Sequence, residues 1–188
     1  MTKIYFYIPI PDLIIRLGLW LSLRYKEIRF SHKFRYIKLT KGKYTIVSLE
    51  DFDQLNRNRW SVKISGRNSY AFRMENGKAV YMHNQVAKPP PDKIVDHNDH
   101  NSLNNSRINL RLATLSQNSA NRRITIADCS SKYKGVHQRK DSDKWVARIG
   151  HNGKRIYLGR FDNEIDAAKA YDTAAKLYHG EFAALNFG

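Results

Sequence analysis

Between Tyr36 and Tyr81, apolar and polar residues alternate in short runs: Tyr44-Thr45-Ile46-Val47, Trp60-Ser61-Val62-Lys63-Ile64, Tyr70-Ala71-Phe72-Arg73 and Ala79-Val80-Tyr81. A period of two over four or five residues predicts half-buried strands. Gly42, Gly66 and the pair Asn76-Gly77 supply the turns, Asn-Gly being a strong hairpin signal. Ser48 to Leu55 reads as a short helix capped by Ser48, with Asp51 three residues on. The prolines at 89 to 91 make a stiff, non-helical loop. A second strand-turn-strand pattern covers 93 to 115, and a short polar helix runs from about Ser116 to Arg123.

Beyond a polar junction at 124–131 the pattern predicts three strands, near 133–139, 144–150 and 154–161, and a helix over 163–178. Asp162 is positioned to cap that helix, Glu164 sits in its first turn and Gly180 stops it. Ile165, Ala168, Tyr171, Ala175 and Tyr178 recur every three or four residues and form its apolar face. On the strands, period two puts Val136, Trp145, Ala147, Ile149, Ile156 and Leu158 on the face turned to the helix. His137, Arg139, Arg148, Arg155 and Tyr157 then share the opposite face. The expected class is α+β, a small β-rich domain followed by a three-stranded antiparallel sheet packed on one helix. The expected divisions are an extension at 1–35 with no assignable role, a first domain at 36–123, a linker at 124–131 and a second domain at 132–188.

Charge narrows the function. The chain holds 33 Lys+Arg against 17 Asp+Glu, a formal net charge of +16. A chain this basic suits a polyanionic partner, nucleic acid above all. The single cysteine, Cys129, excludes an internal disulfide framework and any zinc site built from paired cysteines. Pro9, Pro11, Asp12 and Arg16 interrupt the apolar N-terminal stretch, so neither a membrane span nor a cleavable leader is expected.

The chemistry concentrates between Ile94 and Arg123. Cleaving a phosphodiester needs an activated water, a cation at the phosphate and stabilisation of the leaving oxygen. A histidine base beside hard oxygen ligands supplies all three. Asp96 and His97 are adjacent at the end of an apolar strand, before the turn-rich Asn98-Asp99-His100-Asn101, and Asn118 sits on the short helix that follows. Strand neighbours point to opposite faces, so one shared site requires the chain to turn there.

The Asp96-His97 pair, Leu103-Asn104-Asn105, Asn109-Leu110-Arg111 and Ser116-Gln117-Asn118 resemble the HNH, or His-Me finger, nucleases, and most closely their homing-type members. The resemblance covers about Tyr36 to Arg123 and implies a ββα-metal fold. It implies His97 as general base, and Asp96 with Asn118 holding one divalent cation, Mg²⁺ or Mn²⁺. Asn109 would hydrogen-bond across the loop to fix His97, and the products would carry 5′-phosphate and 3′-hydroxyl ends. His100 stands where that family carries a turn glycine, so a positive φ is expected of it. His83 reads either as a buttress of the site or as a packed structural histidine.

Tyr133-Lys134-Gly135-Val136, Trp145 to Ile149, Tyr157 to Phe161, the alanine pairs of the last helix and Leu185-Asn186-Phe187 resemble the Apetala-two/ethylene-response-factor DNA-binding domain. That resemblance implies base reading by His137, Arg139, Arg148, Arg155 and Tyr157. Lys132, Lys134, Lys154 and Arg160 are assigned to phosphates. Lys140-Asp141-Ser142-Asp143 replaces a tryptophan contact of the family. Together these features predict a site-preferring endonuclease on double-stranded DNA, in the cytoplasm of a bacterial or phage-infected cell, with no membrane or protein partner. The rival readings are a DNA-binding regulator with a degenerate nuclease core and a basic RNA-associated protein.

Overall fold

A computed structural model of the chain describes residues 12–66, 68–122, 130–139 and 142–187. The expected linker residues 124–129, Cys129 among them, and the turn residues Lys140 and Asp141 lie outside that set. The described residues are mixed α and β and include two two-stranded and two three-stranded sheets. The chain divides into two compact units, Met1–Lys88 with His97–Arg111, and Pro89–Asp96 with Leu112–Gly188.

In the first unit a helix, α1 (Asp12–Phe30), occupies the segment for which the pattern assigned no element. The Tyr36 hydroxyl donates to Ser22 Oγ at 3.2 Å, while Leu13, Leu17, Trp20 and Leu21 stay exposed. No helix of the described residues is long and apolar enough to cross a membrane. Strands β1 (Phe34–Lys38) and β2 (Tyr44–Ser48) pair antiparallel, Phe34 opposite Ser48 and Lys38 opposite Tyr44. Helix α2 (Leu49–Asn56) follows directly. Strands β3 (Ser61–Ser65), β4 (Asn68–Glu75) and β5 (Lys78–Tyr81) form an antiparallel meander. Its second turn holds both Asn76 (φ 50°) and Gly77 (φ 74°) left-handed, the geometry a tight Asn-Gly hairpin requires.

Ile37, Leu39, Val47, Leu55, Trp60, Val62, Ala71 and Met82 make the core of this unit. Met82 opens α3 (Met82–Ala87), six residues, too short for a helical period to stand out. The capping role expected of Ser48 is not taken up. Its hydroxyl accepts from the Arg107 main chain at 2.9 Å and lies 3.2 Å from His32 Nε2. Distant partners have outcompeted the local cap.

Strands β6 (Ile94–His97) and β7 (Leu110–Ala113) pair, and α4 (Leu115–Asn121) follows. A full capping box starts α4: Thr114 Oγ1 accepts from Gln117 N, and Gln117 Oε1 accepts from Thr114 N. Then come β8 (Val136–Gln138), β9 (Trp145–His151), β10 (Lys154–Phe161) and α5 (Glu164–His179), the sheet running β10-β9-β8 with a bulge at Tyr157/Gly159.

The predicted inner face packs on the helix as two joined clusters. Val136 and Ala147 meet Ala167 and Ala168, and Ile149 meets Tyr171, Ala174 and Ala175. Two details differ from expectation. Asn163, not Asp162, caps α5, accepting from Asp166 N at 2.8 Å, and the Asp162 carboxylate meets Lys144. Ile165 is 49% exposed, and Ala167 and Ala174 complete the buried stripe in its place. Alanines on that side let the helix lie close to the sheet.

Candidate active site and nucleic-acid interface

His97 ends β6 and is buried. Its Nε2 lies 3.3 Å from Asn105 Oδ1. The Asn105 amide is itself oriented, because its Nδ2 donates to Thr45 Oγ1 at 2.7 Å and that hydroxyl donates to the Leu103 carbonyl at 2.7 Å. With the amide oxygen turned to Nε2, the tautomer protonated at that nitrogen is the one that bonds it. The His83 ring stands edge-on to His97 at 5.3 Å and 80°, and stacks on Tyr81 at 5.5 Å and 29°. His83 Nδ1 is buried without a hydrogen-bond partner. Burial, and then the charge of His97, pushes the His83 pKa down to about 4, so this ring is neutral at physiological pH.

The loop from Asn98 to Asn109 is held by asparagines. Asn109 Oδ1 accepts from Asp99 N at 2.9 Å, and its Nδ2 donates to Asp99 Oδ1 at 2.9 Å and to the Asn104 carbonyl at 2.8 Å. Asn105 is thus a side chain that faces His97, and Asn109 bonds across the loop that carries Asn105. His100 turns the chain with φ 60°, as its place in the motif demanded. Residues 103–105 lie along β2 through Ile46 N to Leu103 O (2.9 Å) and Asn105 N to Ile46 O (2.8 Å). Arg107 closes the loop with a two-pronged grip on Asp51, at 2.8 and 2.7 Å.

In the second unit, Asp96 is buried and both its carboxylate oxygens accept from Asn121 Nδ2, at 3.0 and 2.9 Å. Asn121, on α4, is thus a side chain that meets the Asp96 carboxylate. Asn118 lies one turn earlier on the same helical face, its main-chain N–H bonded to Thr114 O at 2.9 Å. A carboxylate with amide oxygens within a helical turn is a hard-oxygen donor set. Mg²⁺ and Mn²⁺ take such sets with water completing the octahedron, so the residues fit the implied ion.

On β8–β10, Arg148 stands opposite Tyr157, and Arg155 and Tyr157 are exposed on the face away from α5. Burial, then the guanidiniums of Arg148 and Arg155, holds the His137 pKa below its usual value, so these three groups are neighbours. Arg139, just past β8, is exposed, and Lys154 is exposed beside the Asn152-Gly153 turn. Lys134, also assigned to phosphates, differs from these exposed cations in its surroundings. It is half-buried, its Nζ donates to the Ala120 carbonyl, and burial followed by Arg122 lowers its pKa to about 8.

Residues 131–181 match the AP2 domain model. The chain is 34% identical over 152 residues to an uncharacterized HNH endonuclease of Acanthamoeba polyphaga mimivirus, covering 78% of this chain and 76% of that protein. The chain belongs to the HNH endonuclease family. The last third of this family member is also 48% identical over 60 residues to APETALA2-like protein 2 of Oryza sativa subsp. indica. It is 51% identical over 57 residues to an ethylene-responsive transcription factor of Arabidopsis thaliana. Those matches cover 31% and 29% of this HNH endonuclease-family chain, and 14% and 31% of the plant proteins. Sequence reasoning did not assign Asn105, Asn121 or Thr45 a role. The Asn104-Asn105 pair was part of the motif, but nothing local distinguished the asparagine that meets His97 from those that hold the loop.

Proposed function

We propose that this chain is a metal-dependent, site-preferring DNA endonuclease of the homing type. In this reading β6, β7 and α4 form a ββα-metal element, and the AP2 domain reads double-stranded DNA. The observation that carries it is the tie between His97 Nε2 and Asn105 Oδ1; in the tautomer that makes this bond, Nδ1 is the basic atom of a buried histidine. His97 Nδ1 takes a proton from water as the water oxygen bonds to phosphorus and the bond to the 3′ oxygen breaks. The ends are then a 5′-phosphate and a 3′-hydroxyl. Asp96 and Asn118 would hold the cation, with Asn121 fixing the Asp96 carboxylate. Bound there, Mg²⁺ or Mn²⁺ supplies charge neutralisation at the phosphate and stabilises the leaving oxygen. His137, Arg139, Arg148, Arg155 and Tyr157 supply the base-reading face, and Lys154 meets phosphate.

The test is supercoiled plasmid incubated with protein in Mg²⁺ or in EDTA. His97→Ala should abolish cleavage and leave duplex affinity nearly intact, because the base acts on water. Asp96→Ala and Asn118→Ala should cleave poorly and recover in part as the metal concentration is raised. Nicking by His97→Ala at the wild-type rate, or full activity in EDTA, sinks the assignment. Tight binding without any cleavage by the unaltered protein would leave the DNA-binding regulator instead.

A further inference from the structure

We propose that Lys134 is a positioning residue through which the AP2 domain holds α4 in place, and with it the Asn121 grip on Asp96. The proposal rests on the nuclease reading above. Its starting point is the bond from Lys134 Nζ to the carbonyl of Ala120, in the last turn of α4. The final carbonyls of a helix lack intrahelical partners and carry the negative end of its dipole, so a cation there is doubly matched. Ala120 immediately precedes Asn121, whose amide holds both oxygens of Asp96. A helix of seven residues has little stability of its own and depends on such tertiary support.

Lys134 is well placed to transmit rigidity. Its main-chain N–H donates to Asn186 Oδ1 at 2.7 Å, and Asn186 Nδ2 returns to the Lys134 carbonyl at 3.2 Å. Asn186 N and Phe187 N in turn donate to Asp172, a buried carboxylate of α5, at 2.8 and 2.9 Å. The next residue, Gly135, accepts from Arg148 N at 2.8 Å. A Cβ on Gly135 would meet Tyr171 at 2.0 Å and the Arg148 carbonyl at 2.6 Å, and its φ is +76°. A continuous chain therefore runs within the second unit from α5 through Asp172, Asn186, Lys134, Ala120 and Asn121 to Asp96. The strand that carries Arg148 is bonded one residue away from its middle. A lysine serving only phosphates would keep its ammonium in water, whereas this one is drawn out of it, consistent with the depressed pKa.

The experiment uses the full chain with Lys134→Met, which keeps the stem and removes the donor, and Lys134→Arg, which keeps a donor. Hydrogen exchange of the amides of 115–122 reads α4 directly, and single-turnover cleavage at saturating duplex reads the site. Lys134→Met should speed α4 exchange and slow saturated cleavage by about tenfold, the worth of one charge-assisted hydrogen bond, with duplex affinity unchanged. Lys134→Arg should restore both. Exchange and cleavage left at wild-type values overturn the proposal. So does weakened duplex affinity with the saturated rate intact, which would return Lys134 to the phosphates. If the unaltered protein cleaves nothing, the nuclease reading fails alone and α4 exchange still decides the link. Melting curves check the fold, and Lys134→Gln, whose amide is too short to reach Ala120, replaces the Met variant should the latter unfold.

Discussion

At the scale of single residues, amides and rings dominate the surroundings of His97 in one unit, and an amide meets Asp96 in the other. Asparagine carries a donor and an acceptor on one short, uncharged group, so each can join two partners without adding charge beside a carboxylate or an imidazole. Asn105 joins Thr45 to His97, Asn109 joins Asp99 to Asn104, and Asn121 spans both oxygens of Asp96. His83 behaves differently, as a ring kept neutral by burial. Its folded pKa of about 4 lies below the ordinary histidine value of about 6.5. The unfolded chain therefore binds the proton more readily, and stability present above pH 6.5 is lost as pH falls toward 4. The loss from this group is at most about 3 kcal/mol, and replacing His83 with Phe should flatten the curve over that window. Urea midpoints between pH 4 and 7 check this. A slope identical in both proteins would assign the acid sensitivity to other groups.

At the scale of elements, the sheet β8–β10 separates two tasks by strand alternation alone. One face supplies Val136, Ala147 and Ile149 to α5, and the other presents Arg148, Arg155 and Tyr157. If each arginine grips a guanine, Arg148→Ala or Arg155→Ala should cost about 1–3 kcal/mol and relax preference at one base pair. Lys154→Ala, at the turn, should weaken all sequences alike and flatten the salt dependence by about one unit of slope. Selection from a random duplex pool separates these outcomes. A consensus unmoved by both arginine substitutions would mean that this face reads no bases.

At the scale of the whole molecule, the formal charge of +16 gives a net pull on a phosphate backbone that does not depend on sequence, so affinity and selectivity are separable. Truncation after Arg122 removes the AP2 sheet but leaves most of the excess positive charge. The shortened chain should still bind duplex in a salt-dependent way, without site preference. It should also cleave slowly at saturating DNA, because Lys134 is gone from the end of α4. Retention curves at several salt concentrations, with and without specific duplex, test the first claim. Full site preference in the truncated chain would place reading in the nuclease portion.

The strands around Asn76-Gly77, the last sheet and its helix were legible in the sequence, because period two, period 3.6 and turn chemistry are local properties. The positive φ at His100 followed instead from the resemblance, since His100 stands where the HNH family carries a turn glycine. What touches these residues was decided elsewhere. Ser48 bonds Arg107 instead of capping α2, Asn163 caps α5 while Asp162 meets Lys144, Asn105 among several asparagines faces His97, and Lys134 bonds Ala120. Each is a competition among chemically similar donors and acceptors for partners far away in the chain. Only the packed backbone brings those partners within hydrogen-bond reach, so only tertiary structure chooses among them.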